Sequence, residues 1–159
     1  MMQRIVVLFG AAGLLAMGAF AWVQGATKAQ DEQELRRIES ETAKFEQQND
    51  AAGMGSLAED WVWLGGKKVL SKVEFQENVK RNFETHDNGP SPYTIDKKNM
   101  RVDLFGATAV VTYIKEYRQT LDTTKFFSED DTDVFTREAH GWRLRLTKVS
   151  PAQMQTTAN

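Results

Sequence analysis

Beyond Pro92 the apolar residues stop recurring at helical spacing and begin to alternate with polar ones, and this change of period constrains the fold more than any other feature. Tyr93-Thr94-Ile95 and then Met100, Val102 and Leu104 alternate with charged residues, and a turn follows at Phe105-Gly106. Residues 109–121 read as one long strand, with Ala109, Val111, Tyr113, Lys115 and Tyr117 on one face and Val110, Thr112, Ile114, Glu116 and Arg118 on the other. Both faces are partly apolar. Asp122-Thr123-Thr124 turns the chain, residues 125–139 run back carrying Phe127, Val134 and Phe135, and His140-Gly141 connects tightly into a strand over 142–150. The tail, residues 151–159, is polar and expected to fray.

The part before Pro92 is helical in period. Over residues 31–49, Leu35, Ile38, Thr42 and Phe45 recur three and four apart, and Glu32 and Arg36 sit one turn apart. Asp50 is placed to cap a second short helix reaching Ala58, although Gly53 and Gly55 weaken it. Trp61-Val62-Trp63-Leu64, closed by Gly65-Gly66, is too short and too apolar for an exposed helix and reads as a buried strand. Ser71-Lys72-Val73-Glu74 is a capping box, in which each side chain satisfies the other residue's amide. The helix it starts carries Phe75, Val79 and Phe83 and stops at His86-Asp87-Asn88-Gly89-Pro90. Helices first and an antiparallel meander after them specify an α+β domain, with helices packed on one face of a curved sheet.

The N-terminus reads as an export segment. Arg4 supplies a positive flank, residues 5–18 carry no charge, and Ala19-Phe20-Ala21 is a small-x-small cleavage site. Residues 1–29 are therefore assigned to a signal peptide and 30–150 to a single domain that is exported, periplasmic or extracellular. The alternative is an uncleaved anchor, because residues 5–23 just reach the length of a bilayer span, about 17–25 residues. Membrane contact is expected only through that segment.

With no cysteine in 159 residues, thiolate nucleophiles, thiolate metal sites and disulfides are excluded. A net charge of −2 without a basic cluster excludes a nucleic-acid partner, since neutralising phosphates requires grouped Lys and Arg. His86 and His140 stand in turns without neighbours at metal-ligand spacing, so no metal is expected. Glu129-Asp130-Asp131-Asp133 lacks the glycine and terminal glutamate of a calcium loop and reads as a solvated charge run. Gly53-Met54-Gly55 and Gly65-Gly66 lack what a nucleotide needs downstream, and no cofactor is expected.

The Asn49-Asp50 helix end, the Ala58-Glu59-Asp60-Trp61 step into the first strand, the capped helix before the meander, Phe105-Gly106-Ala107-Thr108-Ala109-Val110-Val111, and the closing His140-Gly141-Trp142-Arg143-Leu144 with Ser150 together carry a resemblance. In order and spacing this stretch, residues 34–150, resembles the superfamily of nuclear transport factor 2, ketosteroid isomerase and SnoaL-like cyclases, within it the group called domain of unknown function 4440. The resemblance implies a cone-shaped sheet wrapped around N-terminal helices, an apolar pocket at the open end, and a homodimer through the outer face of the sheet. It also implies that the general base of the ketosteroid-isomerase-like members falls at Leu64, which carries no proton, and their tyrosine donor near Thr42 or Phe45. Asp60 matches a strand-entry position.

If the face of Tyr113, Lys115 and Tyr117 and the neighbouring Phe135 and Arg137 line the cone, they form an apolar wall with polar handles. Otherwise Tyr113 is core and Lys115 and Arg137 are solvated. Trp61, Trp63 and Trp142 read as packing, and Trp63 is also carried with Tyr113, Tyr117, Phe135 and Arg137 as a candidate binding residue. The leading expectation is a dimeric module, binding a small apolar molecule or serving structurally. The alternative is a cofactor-independent acid–base enzyme of isomerase, cyclase or dehydratase type, with Asp60 as base and Tyr113 or Tyr117 as proton donor.

Overall fold

The computed structural model describes residues 12–50, 52–85, 91–121, 124–150 and 153–156. Helix α1 (Ala12–Gln47) leads into strand β1 (Leu57–Gly65), which turns back as β2 (Lys68–Ser71) and enters helix α2 (Lys72–Thr85). Four long strands follow, β3 (Tyr93–Phe105), β4 (Thr108–Gln119), β5 (Lys125–Glu138) and β6 (Gly141–Val149), and then the short β7 (Gln153–Thr156). The strands form one mixed, curved sheet in the order β2-β1-β6-β5-β4-β3, with β7 on β5. All neighbours are antiparallel except β1 and β6, which run parallel. The helices lie against one side of this cone. Among the described residues no helix is long and apolar enough to cross a membrane.

Most expected elements form for the expected reasons. The capping box closes as drawn, with the Glu74 carboxylate accepting from the Ser71 amide at 2.8 Å and the Ser71 hydroxyl accepting from the Glu74 amide at 3.4 Å. The two apolar runs of β3 belong to a single strand kinked by a bulge between Lys98 and Arg101, where Asn99 takes φ 53°. Gly106 turns the β3–β4 hairpin at φ 65°, a conformation that costs glycine little. The expected stop at residues 86–90 and the turn at 122–123 lie outside the described residues.

Four expectations are corrected. The second helix is absent: the Asp50 carboxylate does accept from backbone amides, those of Ala52 and Gly53 at 3.1 Å each, but it closes a turn, and Leu57 already begins β1. The first helix extends N-terminally to Ala12. Residues 68–71 form β2, pairing Val69 with Leu64 and Leu70 with Trp63. In the tail, Gln153–Thr156 pairs with residues 125–128 of β5.

The core lies between α1 and the concave face of the sheet. Leu35 and Ile38 of α1 pack there with Val111, Phe135, Trp142 and Leu144, all buried. Trp61 is turned inward at a register shift of β1 and donates its indole N–H to the Thr147 hydroxyl at 3.2 Å. Phe135 is among the largest fully buried side chains. Its replacement by alanine should cost about 3–5 kcal/mol in urea unfolding, the range for deleting a buried aromatic ring. A loss below about 1 kcal/mol would place it in a solvent-filled pocket instead.

Candidate functional site

The site grows out of three elements whose periods converge. On α1, Glu39 and Glu46 stand seven residues apart, two turns along the stripe that also carries Leu35 and Thr42. On β4 the alternation aims Val111, Tyr113, Lys115 and Tyr117 inward, and the register sets them opposite Asp133, Asp131, Glu129 and Phe127 of β5. Lys97 of β3 lies opposite Lys115.

These groups form a buried polar network. Lys97 Nζ donates to Glu39 Oε2 at 2.5 Å, and Lys115 Nζ to Glu46 Oε2 at 2.5 Å. The Tyr113 hydroxyl donates to Asp133 Oδ2 at 2.8 Å, and the Tyr117 hydroxyl to Glu129 Oε1 at 2.7 Å. Each ammonium also lies over a ring, Lys97 4.4 Å from the Tyr113 centroid and Lys115 5.1 Å from that of Tyr117. Glu39 Oε1, Asp133 Oδ1 and both Asp131 oxygens are buried and find no donor. Glu39 and Asp133 are within hydrogen-bond reach of each other, so one proton on Glu39 satisfies an oxygen of each.

The electrostatics agree with that proton. Burial, reinforced by the Asp133 charge, pushes the Glu39 carboxyl up to about 8 against the pull of Lys97. Burial likewise takes Asp131 to about 8, with Lys115 opposing and Glu129 and Asp133 reinforcing. Glu129 is raised by burial, and Tyr113 by burial and the Asp133 charge. Burial disfavours the Lys115 ammonium, but Glu46 and the surrounding negative charge outweigh it and hold its pKa well above the usual value.

Above this network the cone opens into a pocket of about 340 Å³. Its walls include Trp63, Phe75, Tyr93, Tyr117 and Phe127, and Glu46 supplies a carboxylate. Tyr117 stacks on Phe127 at 4.6 Å, and Tyr93 meets the same ring edge-on at 5.4 Å. A Cβ on Gly65 would overlap the Trp63 ring, so glycine there lets the indole lie across the strand. The rim is tied to α1, whose Gln47 carbonyl accepts from the Ser91 amide at 2.8 Å and whose Gln47 side chain accepts from the Ile95 amide at 3.2 Å. Deeper in, a small void of about 20 Å³ borders Tyr113, Lys97 and Asp133.

The residues singled out by sequence fall in different places. Trp63 and Tyr117 line the open pocket, and Tyr113 borders the smaller void. Phe135 lies in the core, and Arg137 is at the far end, paired with Asp31 and 4.6 Å from the Trp142 ring. Asp60 is exposed, paired with Arg145, and lines neither cavity. Leu64 alternates with Trp63 and faces the other side of β1, the Thr42 hydroxyl donates to the Ile38 carbonyl of its own helix, and Phe45 packs on Gly53. His140 is exposed in a turn, and His86 lies outside the described residues. Among the described residues no group of three or more His, Asp or Glu is arranged to hold a metal ion.

The acidic run requires the main correction. Asp130 is exposed, but Asp131 and Asp133 are 2% and 1% exposed, because they share the inward face with Phe127 and Phe135. Glu39, Glu46, Lys97 and Glu129 also join the site without having been singled out for it. The available signal was period two counted through Phe127 and Phe135, together with the i, i+7 spacing of Glu39 and Glu46.

Comparison with solved structures bears on the arrangement of helices and sheet. Similar structures include a protein with an NTF2-like, cystatin-like fold from Novosphingobium aromaticivorans, 15% identical, covering 89% of this chain and 91% of that one at a TM-score of 0.67. The chain has the NTF2-like fold. A protein of unknown function with a cystatin-like fold from Nostoc punctiforme is 14% identical over 77% of this chain and 91% of that one, TM-score 0.67. The association domain of CaMKII from C. elegans is 15% identical over 78% and 97%, TM-score 0.65. No protein-family model matches the sequence, and no curated protein matches it.

The buried carboxyls make stability fall with pH. Glu39 and Asp131 lose their protons in the unfolded chain near 4.5 and 3.8, but in the folded one near 8. Between those values the folded state binds more protons, so stability declines as pH rises and levels off above about 8. From about pH 5 to pH 9 the loss should be on the order of 4 kcal/mol per carboxyl, about 12 °C in Tm. Glu39→Gln imitates the neutral acid, its amide oxygen facing Lys97 and its amide N–H facing Asp133, and should reduce that slope. A Tm rising across this range, or an unchanged slope in the variant, would contradict the assignment.

Proposed function

We propose that the protein binds a small, largely apolar organic molecule in the open end of the cone. The observation that carries this reading is the pocket of about 340 Å³ with five aromatic side chains in its walls and the Glu46 carboxylate and Tyr117 hydroxyl as polar handles. Its size and composition are those of small-molecule sites, where apolar area supplies affinity and a few polar groups orient the ligand. Residues 105–111 and 140–144, which carry the resemblance to the domain of unknown function 4440 group, form the β3–β4 and β5–β6 turns, and this supports placement in that group. Export through residues 1–29 belongs to the same reading and rests on Arg4, the uncharged run and Ala19-Phe20-Ala21. Native mass spectrometry of the purified protein should show a bound small molecule, and Asn78→Trp, which fills the pocket from α2, should abolish it. A ligand retained by that variant would place the site elsewhere.

Acid–base catalysis is the second reading, favoured by the pair Tyr117–Glu129. Tyr117 lines the pocket, and its hydroxyl is bonded to a carboxyl raised by burial. That pair replaces Asp60, whose carboxylate is exposed and paired with Arg145.

A homodimer through the outer face of the sheet completes the proposal. Val110 lies opposite Val134, Val134 opposite Leu146, and Leu146 opposite Val62, so a row of half-buried apolar side chains crosses four strands. Ile114 flanks that row, and such a face is covered when two copies meet. The CaMKII association domain, by its name an association module, has the same fold. Light scattering at micromolar concentration should give twice the monomer mass, and Val134→Lys should return it to one. A monodisperse monomer before substitution would remove the dimer.

A further inference from the structure

The cone carries more acid than base. Glu39, Glu46, Glu129, Asp131 and Asp133 converge on its interior, and among the described residues Lys97 and Lys115 face them as cations. With every group ionised, five negative charges would meet two positive ones, in a medium where an unpaired charge is costly. Around these acids the buried atoms left without a partner are carboxylate oxygens, on Glu39, Asp131 and Asp133; the unpartnered donor, the Trp142 indole N–H, lies in the core beside Arg137. The neighbourhood of the acids therefore lacks donors and positive charge.

The open pocket lies directly against this excess. Glu46 and Tyr117 belong both to the network and to the pocket wall, and no lysine or arginine lines the pocket among the described residues. The remaining walls combine the rings of Trp63, Phe75, Tyr93 and Phe127 with uncharged side chains, among them Asn49, Asn78 and Ser91. Aromatic rings with a neighbouring carboxylate hold ammonium groups through the negative potential over the ring face. The protein already makes this contact twice internally, with Lys97 over Tyr113 and Lys115 over Tyr117. An anionic ligand would meet the Glu46 carboxylate, and the nearest cation, Lys115, is already bonded to that carboxylate.

We infer that the ligand of this pocket is a small organic cation, an ammonium group on an apolar body, with the charge seated among the aromatic rings beside Glu46. This rests on the reading of the pocket as a ligand site and adds the sign of the ligand's charge. Binding is coupled to protons: a cation beside the network favours ionisation of the carboxyls that otherwise remain neutral. Affinity therefore rises with pH through the range in which Glu39 and Asp131 titrate, near 8. The charged and titratable groups facing those two are Glu46 from α1, Lys97 from β3, Tyr113, Lys115 and Tyr117 from β4, and Glu129 and Asp133 from β5.

The test is calorimetric titration of the full chain with three probes of closely similar shape: benzyltrimethylammonium, its neutral isostere neopentylbenzene, and the anion benzylsulfonate, whose head is also tetrahedral. The cation should bind at least about tenfold more tightly than the isostere, the anion most weakly, and the preference should grow from about pH 6 to pH 9. Glu46→Gln should weaken the cation about tenfold and leave the isostere unchanged. If that variant unfolds, the pH trend in the unmodified protein decides alone. An isostere that binds as tightly as the cation, in a manner blocked by Asn78→Trp, would overturn the cation inference while the pocket stands. Failure of all three probes to bind would overturn the pocket reading and this inference together.

Discussion

Placing carboxyl groups in a low-dielectric interior is the constraint on which the site depends. Ionised carboxyls inside a protein need donors or cations, and here two lysines and two tyrosine hydroxyls serve five acids. Bound protons make up part of the difference, on Glu39 and Asp131. The hydrogen-bonded pairs in turn fix α1 against β3 and β4, because Glu39 is held by Lys97 and Glu46 by Lys115. The apolar core around Leu35, Val111 and Phe135 supplies the packing. Charge distribution gives the open end of the cone its chemical character.

That division explains what the sequence discloses. Period-two alternation in residues 109–121 and the Ser71–Glu74 capping box are local signals with single physical solutions, and both appear as read. Asp50 shows why another local signal misleads. A carboxylate accepting from amides two and three residues ahead serves a helix cap and a turn equally well, and the glycines at 53 and 55 favour the turn. Strands β2 and β7 have four residues each, too few for alternation to stand out.

The candidate site was less legible, because strand alternation assigns residues to faces without saying which face is concave. Alternation groups Tyr113, Lys115 and Tyr117 on one face, yet Phe135 and Arg137, also on an inward-facing row, fall below the pocket in the core and at the far end. The depth of a residue along the cone depends on how strands of different length pair, which is a tertiary property. The acidic run was hidden by its composition, since runs of charge are normally solvated and only counting from Phe127 to Phe135 turns Asp131 and Asp133 inward. The NTF2-like fold does not select among binding, catalysis and association, so the sign and placement of these charges carry the functional argument.

The central claim is that the folded cone retains protons on buried carboxyls at neutral pH. Site-resolved carbon NMR of the aspartate and glutamate side-chain carboxyls, followed from about pH 3 to pH 10, measures this directly. The account predicts that Glu39 and Asp131 titrate near 8. Midpoints for Glu39 and Asp131 below about 5, the range of ordinary surface acids, would contradict it.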